Sequence, residues 1–228
     1  MSLPVLSTPK FDVKVISLNK NVKFRPFLVK EEKILILAAE SEEPVEMLNA
    51  MQNIVTSCSD GEVDGGSLPF FDLQNIFIKL RGESIGGETE FNLICGECSH
   101  RTPTTLDLKT IQLKIDESHT NKIQITDDIG IIMKYPDASL LVDKNIKTYD
   151  IVLKCIDKIY TKEEIFDASE ESPEELARFV DSLTTEQFEK VANFFATMPK
   201  IEHIIEYKCP NCSAENVVIM DGIESFFV

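Results

Sequence analysis

Two Cys-x-x-Cys pairs are the residues of this sequence whose type and spacing could do chemistry. The first pair is Cys95 and Cys98, the second is Cys209 and Cys212, and a glycine or a proline stands inside each turn. Each pair follows a stretch with an extended pattern, which is the layout of a zinc knuckle. Thiolates spaced in this way can each reach one ion at about 2.3 Å, so two turns supply a tetrahedron of four sulfurs.

The predicted site is one structural zinc ion bound by Cys95, Cys98, Cys209 and Cys212. Four thiolates leave no open coordination position, so the ion would hold the fold together and would not activate water. The pairs are separated by 110 residues, 99–208, which is a much longer interval than in an ordinary zinc ribbon. We therefore interpret the pattern as a zinc-ribbon-like element interrupted by an insertion, whose closure constrains the unfolded chain strongly.

Other interpretations of the cysteines stay open. All of them could be ordinary reduced thiols, and a redox role is disfavoured because neither pair opens a helix after a central strand. His100 follows Cys98 by two residues and could replace one sulfur, although a solvated loop position suits it better. Cys58 and Cys155 stand alone at or near helix positions, and we expect both to be buried as small apolar side chains.

The acidic composition disfavours several classes of partner. The chain has 228 residues, of which 43% are hydrophobic, and this suffices for one large or two small domains. Its formal net charge of −16 repels a phosphate backbone and an anionic membrane surface, so we expect neither as a partner. The charge suits plain solubility or the binding of a basic protein surface.

The sequence lacks the signals of export and of membrane insertion. No stretch approaches the roughly 18 apolar residues of a spanning helix. Met1-Ser2-Leu3-Pro4 lacks the basic region and the apolar core of a secretory signal. We therefore expect the cysteines to lie in a reducing cytoplasm, where disulfides are rare and metal binding is commoner.

The first third of the chain alternates extended and helical patterns. Residues 11–29 predict a β-hairpin, and helices are expected at 31–41 and 44–57. The segment 60–68 is rich in Gly, Asp and Ser and is typical of a loop. Asp72 is a good N-cap for a further helix whose apolar residues follow i, i+3, i+4, i+7 spacing.

The remaining elements are strands, then helices, then two final strands. A helix is expected around 152–159, and Ser172 and Thr184 each open a capping box at the start of a helix in a helical hairpin. The predicted strands are 89–94, 103–107, 110–115, 122–126, 129–134, 201–208 and 216–220.

These elements predict an α+β fold with an N-terminal β-hairpin plus helices. We expect three parts. They are an N-terminal α/β region at 1–87, a zinc-ribbon-like β region made of 88–135 and 200–228, and a helical insertion at 136–199 that ends in the helical hairpin.

No arrangement of residues in the sequence predicts catalysis. His100, His119 and His203 stand in no metalloprotease or kinase motif, and 82–87 lacks the Gly-Lys-Ser/Thr of a phosphate loop. The acidic run 163–175 surrounds a helix start and is most simply a solvated face, with docking of a basic partner as the alternative. We predict that the chain is not an enzyme.

Several segments together resemble a known family. The most specific is Arg25-Pro26-Phe27-Leu28-Val29-Lys30-Glu31-Glu32-Lys33 within residues 23–41, and the others are 72–81, 194–199 and 222–227. With the two Cys-x-x-Cys pairs, these segments make nearly the whole chain similar to the baseplate protein family of T-even-type contractile-tailed bacteriophages, in particular to its hub assembly members.

The resemblance implies a viral protein made in the host cytoplasm. Such a protein helps to build the central hub of the tail baseplate by binding other baseplate hub proteins, and the family assigns no catalytic residues. Whether it stays in the virion tail baseplate or leaves as an assembly factor is open. Direct partners, stoichiometry and oligomeric state are not specified by the sequence.

Four adjacent residues and the chain end are candidate contacts for such partners. Phe24, Arg25, Pro26 and Phe27 qualify because aromatic and Arg side chains dominate interface hot spots. Packing in the core is the alternative for the two phenylalanines, whereas Arg25 is expected to point outward. The apolar end Phe226-Phe227-Val228 either docks a partner or tucks into the core.

Two other functions stay open. A zinc-ribbon regulator that binds nucleic acid would use the same cysteines, but the charge of −16 and the lack of a basic stripe speak against it. A hydrolase with an unrecognised site is the other, and it would need a cleft with perturbed carboxylates.

Overall fold

The structure is a computed structural model that describes residues 8–84, 86–142 and 145–221, without the side chains of 141 and 142. It is a mixed α+β protein, as predicted, with seven α-helices and four small antiparallel sheets in the described residues. The predicted contacts at 226–228 and the expectation for residues 1–4 lie outside the described residues.

The chain forms two compact units. The larger comprises 1–114 with 200–228, and the inserted unit comprises 115–199. The three-part division made from the sequence stays a prediction, and in the structure the inserted unit begins at Ile115, before the residue at which the helical insertion was expected.

The helices and strands have well-defined bounds. The helices are α1 Val29–Glu40, α2 Pro44–Cys58, α3 Phe70–Ser84, α4 Ala138–Val142, α5 Thr148–Lys154, α6 Pro173–Asp181 and α7 Thr185–Thr197. The strands are β1 Phe11–Val15, β2 Lys20–Phe24, β3 Glu88–Ile94, β4 Arg101–Asp107, β5 Leu113–Lys114, β6 Lys122–Gln124, β7 Gly130–Met133, β8 Ile156–Tyr160, β9 Ile165–Asp167, β10 Lys200–Lys208 and β11 Glu215–Asp221. Short 3-10 helices occupy Gly65–Ser67 and Leu108–Thr110.

The predicted N-terminal hairpin is present as β1 and β2. Alternate residues point into the core, so that Val15, Val22 and Phe24 are fully buried. Asn19 makes the turn with a φ of 48°, a conformation that asparagine tolerates better than most residues. The hairpin is shorter than predicted, because β2 ends at Phe24 and the N–H of Arg25 donates to the carbonyl of Cys58 at 2.9 Å.

The position of Asp72 shows that its predicted N-cap role is wrong. Helix α3 begins at Phe70, so Asp72 lies inside the first turn and is not the N-cap. Its carboxylate is fully buried and accepts hydrogen bonds from the backbone N–H groups of Ile16 at 2.9 Å and Ser17 at 2.8 Å. The side chain therefore fixes the β1–β2 turn against α3, a long-range role that local spacing does not reveal.

Two long hairpins complete the larger unit. Strands β3 and β4 pair antiparallel, as do β10 and β11. Strand β5 pairs with the first residues of β10, with Lys114 opposite Lys200 and Leu113 opposite Ile201. The inserted unit therefore leaves and re-enters the larger unit at adjacent positions.

The inserted unit has a core of its own. Its sheet has the order β6-β7-β8-β9, and α5, α6 and α7 contribute to the same apolar cluster. The cluster contains Ile123, Ile125, Ile131, Met133, Val152, Cys155, Ile156, Val180, Val191 and Phe194. Among the described residues, no helix combines the length and the apolar character that crossing a bilayer requires.

Two predictions in this unit have different outcomes. The capping boxes are confirmed, with Ser172 and Glu175 opening α6 and Thr184 and Gln187 opening α7. The helix expected at 152–159 is wrong, since α5 ends at Lys154 and the following residues form β8.

Candidate metal centre

Each cysteine pair lies at the tip of one of the two long hairpins. Strand β3 ends at Ile94, which pairs with Arg101, and β10 ends at Lys208, which pairs with Glu215. Both connections are therefore six residues long and begin with the first cysteine of the pair.

The two connections have the same backbone hydrogen bonds. In each, the N–H of the first cysteine donates to the carbonyl five residues later, and the N–H four residues later donates back to the carbonyl of that cysteine. The bonds are Cys95 to His100 (3.0 Å) and Ser99 to Cys95 (2.9 Å), and Cys209 to Ala214 (2.8 Å) and Ser213 to Cys209 (2.9 Å).

A strained serine closes both turns. Ser99 has a φ of 56° and Ser213 a φ of 62°, each directly after the second cysteine of its pair. Positive φ is unfavourable for a residue with a Cβ atom, so its occurrence at matching positions indicates that both loops are constrained to one geometry.

The hairpin tips bring all four sulfurs together. Cys95 Sγ lies 3.6 Å from Cys212 Sγ, and Cys98 Sγ lies 3.7 Å from Cys209 Sγ. All four sulfurs lie within 4.8 Å of one another. All six cysteines are free, and these separations are far above the roughly 2.05 Å of a disulfide.

The spacing of the sulfurs fits a tetrahedral ion. Four sulfurs at about 2.3 Å from one centre lie about 3.8 Å from each other, which follows from tetrahedral geometry. The cross-hairpin separations of 3.6 and 3.7 Å are close to that value. Thiolate ligands suit a soft or borderline ion such as Zn²⁺, and they do not suit Mg²⁺ or Ca²⁺.

Two asparagines that the sequence analysis did not single out face the sulfurs. Asn211 Nδ2 lies 3.5 Å from Cys98 Sγ, and Asn216 Nδ2 lies 3.6 Å from Cys95 Sγ. Asn216 also accepts a hydrogen bond from Gly96 N–H at 3.0 Å, and so joins the two hairpins. An amide inside the second Cys-x-x-Cys turn was the available signal for Asn211.

The surroundings of the cysteines lower the pKa of two of them and raise the pKa of a third. The backbone N–H of Cys98 is the main cause that lowers the pKa of Cys95, to about 6, and burial opposes it. The amide of Asn211 is the main cause that lowers the pKa of Cys98. Backbone donation from Ala214 favours the thiolate of Cys212, but hydrogen bonds with the other sulfurs and burial raise its pKa to about 12. The donors around Cys95 and Cys98 thus favour the thiolate form, which is the form that binds a metal ion.

The other cysteines and His100 lie elsewhere. Cys58 and Cys155 are fully buried, as expected, and burial raises the pKa of each to about 12. His100 is exposed, and its carbonyl takes part in the first turn. Within the described residues, the four-cysteine group is the one cluster of three or more Cys, His, Asp or Glu side chains with metal-binding spacing.

Of the candidate contact residues near the N-terminus, one is buried and three are half-buried. Phe24 is fully buried, and the ring of Phe27 packs on Phe77 with 5.5 Å between centroids. Arg25 does not point outward as expected, since its guanidinium bonds to the buried carboxylate of Glu31 at 2.8 Å. The sequence pattern of β2 could not show this partner, which lies beyond the end of the strand.

The described residues contain two open clefts in the inserted unit, without a recognisable catalytic arrangement. One is lined by residues such as Lys122, Glu189 and Phe194, the other by Lys134, Asp137 and Leu176. His119 lies between Thr197 and Tyr135, which its ring nitrogens contact at 2.9 and 3.0 Å. It also packs against the ring of Phe194, with 5.2 Å between centroids.

Comparison with known proteins gives two matches to tail components. A family profile described as "T4 bacteriophage base plate protein" matches residues 8–228. The chain is 24% identical over 218 residues to the baseplate hub assembly protein gp26 of Enterobacteria phage T4, covering 96% of this chain and 97% of that protein. No solved structure matches the chain significantly.

Proposed function

Because the chain belongs to the T4 bacteriophage base plate protein family, we propose that it is a structural and assembly protein of the phage tail baseplate hub. It acts by binding other baseplate hub proteins and not by catalysis. The observation that carries this proposal is the match over nearly the full length of both chains to a relative whose name is that of a hub assembly protein. The protein acts in the host cytoplasm during assembly and at the tail baseplate.

We further propose that Cys95, Cys98, Cys209 and Cys212 ligate one structural Zn²⁺ in a zinc-ribbon-like element. The clustering of four free sulfurs within 4.8 Å supports this site. A zinc ion with four thiolate ligands supplies folding free energy and no open coordination position. The donor set therefore agrees with an assembly role, for which no chemistry is required.

Hydrogen-bond donors around the four sulfurs favour metal binding at this site. Backbone N–H groups and two asparagine amides face the sulfurs, which reduces the repulsion between neighbouring thiolates. Since the two hairpins are 110 residues apart in sequence, a shared ligand set ties distant parts of the chain together.

Metal content tests the zinc site. Protein purified under reducing, chelator-free conditions is expected to contain one zinc per chain, and Cys209→Ser with Cys212→Ser to contain much less. Glu97→Gln, an exposed non-cysteine position in the first turn, serves as the control and keeps the metal. Protein without zinc under these conditions contradicts the proposal.

Capture from infected cells tests the assembly role. Tagged protein is expected to recover other baseplate hub proteins, identified by mass spectrometry. Recovery of polymerase subunits alone would instead support the regulator that binds nucleic acid. That alternative also predicts a retarded DNA band at physiological salt, which a chain with a net charge of −16 disfavours.

A further inference from the structure

Helix α1 has an apolar outer side. Only Glu31 and Ala38 are buried among its 12 residues. Val29 and Leu37 are 67% and 66% exposed, and Ile36 is 52% exposed. An ordinary surface helix turns such apolar residues toward the core, whereas α1 exposes them beside its charged residues and buries Glu31 instead.

The orientation of α1 is fixed by the buried charge. Glu31 is only 2% exposed and accepts hydrogen bonds from Arg25 Nη2 at 2.8 Å and from Leu28 N–H at 2.9 Å. Arg25 also donates to the carbonyls of Pro26 and Ser57. Rotating α1 to bury its apolar residues would expose Ala38 and break this ion pair, which holds the outer side toward solvent.

The exposed side of α1 carries one basic and one acidic residue, on either side of its apolar centre. Val29, Lys33, Ile36 and Glu40 recur at spacings of four, three and four, so they share one line along the helix, and Leu37 lies beside Ile36. The line therefore has a positive charge before its apolar centre and a negative charge after it. Neither Lys33 nor Glu40 forms an ion pair with another described residue.

We propose that this side of α1 packs antiparallel against α1 of a second copy of the chain, around a two-fold axis beside Ile36 and Leu37. In such a pair the positions facing each other have numbers that sum to 73, because 36 faces 37. Lys33 of each copy then faces Glu40 of the other, since 33 + 40 = 73. An isologous interface of this kind is self-complementary, with the ion pair made twice.

The charge order also selects the direction of packing. A parallel pair would place Lys33 against Lys33 and Glu40 against Glu40, which is repulsive. A 12-residue helix is only about 18 Å long, so the interface is small and the dimer is expected to be concentration-dependent. This inference concerns the isolated chain and does not depend on the proposed baseplate role.

Sedimentation equilibrium of the full chain over a range of concentrations tests the pairing. The unaltered protein is expected to dimerise, and Leu37→Glu to be monomeric. Lys33→Glu and Glu40→Lys are each expected to raise the dimer dissociation constant about tenfold or more, because each creates two like-charge contacts. The variant with both changes reverses both ion pairs and restores dimerisation.

Matched controls separate pairing from misfolding. Lys190→Glu makes the same charge reversal at an exposed position of α7 and leaves the dissociation constant unchanged. Circular dichroism of each variant matches that of the unaltered chain, because the changed side chains are exposed.

Three results would overturn the self-pairing of α1. They are a monomer at every concentration, a dimer that persists in Leu37→Glu, and a double variant as weak as the single ones. If the chain alone is monomeric but Leu37→Glu loses capture of a hub protein, α1 binds that protein instead. Failure of capture with an intact dimer would contradict only the baseplate proposal.

Discussion

The two cysteine-bearing hairpins and the inserted unit reach stability by different means. Strands β3, β4 and β11 bury one residue each, namely Leu93, Leu106 and Met220, while alternate positions stay exposed or half-buried. The inserted unit instead surrounds ten buried residues, among them Ile131, Cys155 and Phe194, with elements from all parts of its sequence.

The difference shows why the cysteines lie where they do. Burial stabilises by about 25 cal/mol for each Å² of apolar surface, so a hairpin with one buried side chain per strand gains little. Small elements of this kind are usually held by metal ions or disulfides. The inserted unit has an apolar core, and its one cysteine, Cys155, contributes to it as an apolar side chain.

Removing the proposed metal site is the change with the largest expected effect on this comparison. Structural zinc sites contribute an apparent binding free energy of about 10–16 kcal/mol, so Cys209→Ser with Cys212→Ser, or a strong chelator, is expected to unfold both hairpins. Hydrogen exchange should show protection lost in 88–107 and 200–221 but kept in β7 and β8. Equal loss in the inserted unit would refute the separation of the two regions.

The complementary substitution is Phe194→Ala, which weakens the inserted unit instead of the hairpins. It removes a ring that is 2% exposed and packs against His119, Tyr135 and Phe195, so we expect a loss of about 3–5 kcal/mol in unfolding free energy. Denaturant unfolding measures the loss, and zinc content should stay unchanged. The exposed neighbour Asn193→Ala is the control, and a Phe194→Ala variant that releases zinc would contradict the comparison.

Asp72→Ala tests whether the cysteine-bearing hairpins are stabilised independently of the rest of the larger unit. The change leaves the N–H groups of Ile16 and Ser17 without their acceptor, which is expected to lower the unfolding free energy by about 1–3 kcal/mol. Metal binding should be retained, because none of the four cysteine contacts involves this carboxylate. Thermal unfolding and metal analysis check both statements, and Asp12→Ala at an exposed position of β1 is the matched control.

The smallest effect concerns the strained turn after Cys212. Ser213→Gly removes the Cβ atom at a φ of 62°, and we expect a gain of less than about 1 kcal/mol in the zinc-loaded protein. Ser182→Gly is the control. Its φ of −80° is allowed for any residue, so glycine there should lower the unfolding free energy slightly. Both variants are compared by thermal unfolding, and a loss at position 213 equal to that at 182 would show that the turn is not strained.

Local patterns predicted the parts of the fold that depend on neighbours in sequence. The capping boxes at Ser172 and Thr184 were found because their partners lie three residues later. The Cys-x-x-Cys spacing likewise identified all four side chains that the structure brings together. In these cases the signal and the interaction lie in the same few residues.

The remaining features depend on partners that are distant in sequence. The apolar residues between 152 and 159 fit a helix by spacing, but pairing of Ile156 and Ile159 with β7 makes the second half a strand. Asp72 bonds to residues 55 and 56 positions away, and Asn216 reaches a sulfur 121 positions away. No local pattern contains these partners.

The interval between the two cysteine pairs also sets an order of events during synthesis. A ribosome adds about 5–20 residues each second, so the 110 residues after Cys98 take roughly 5–20 s to emerge. Throughout that time the first pair is half of the proposed ligand set, while the whole inserted unit becomes available to fold. The larger unit can be completed only after strands β10 and β11 have left the ribosome, so it forms after the whole inserted unit has been synthesised.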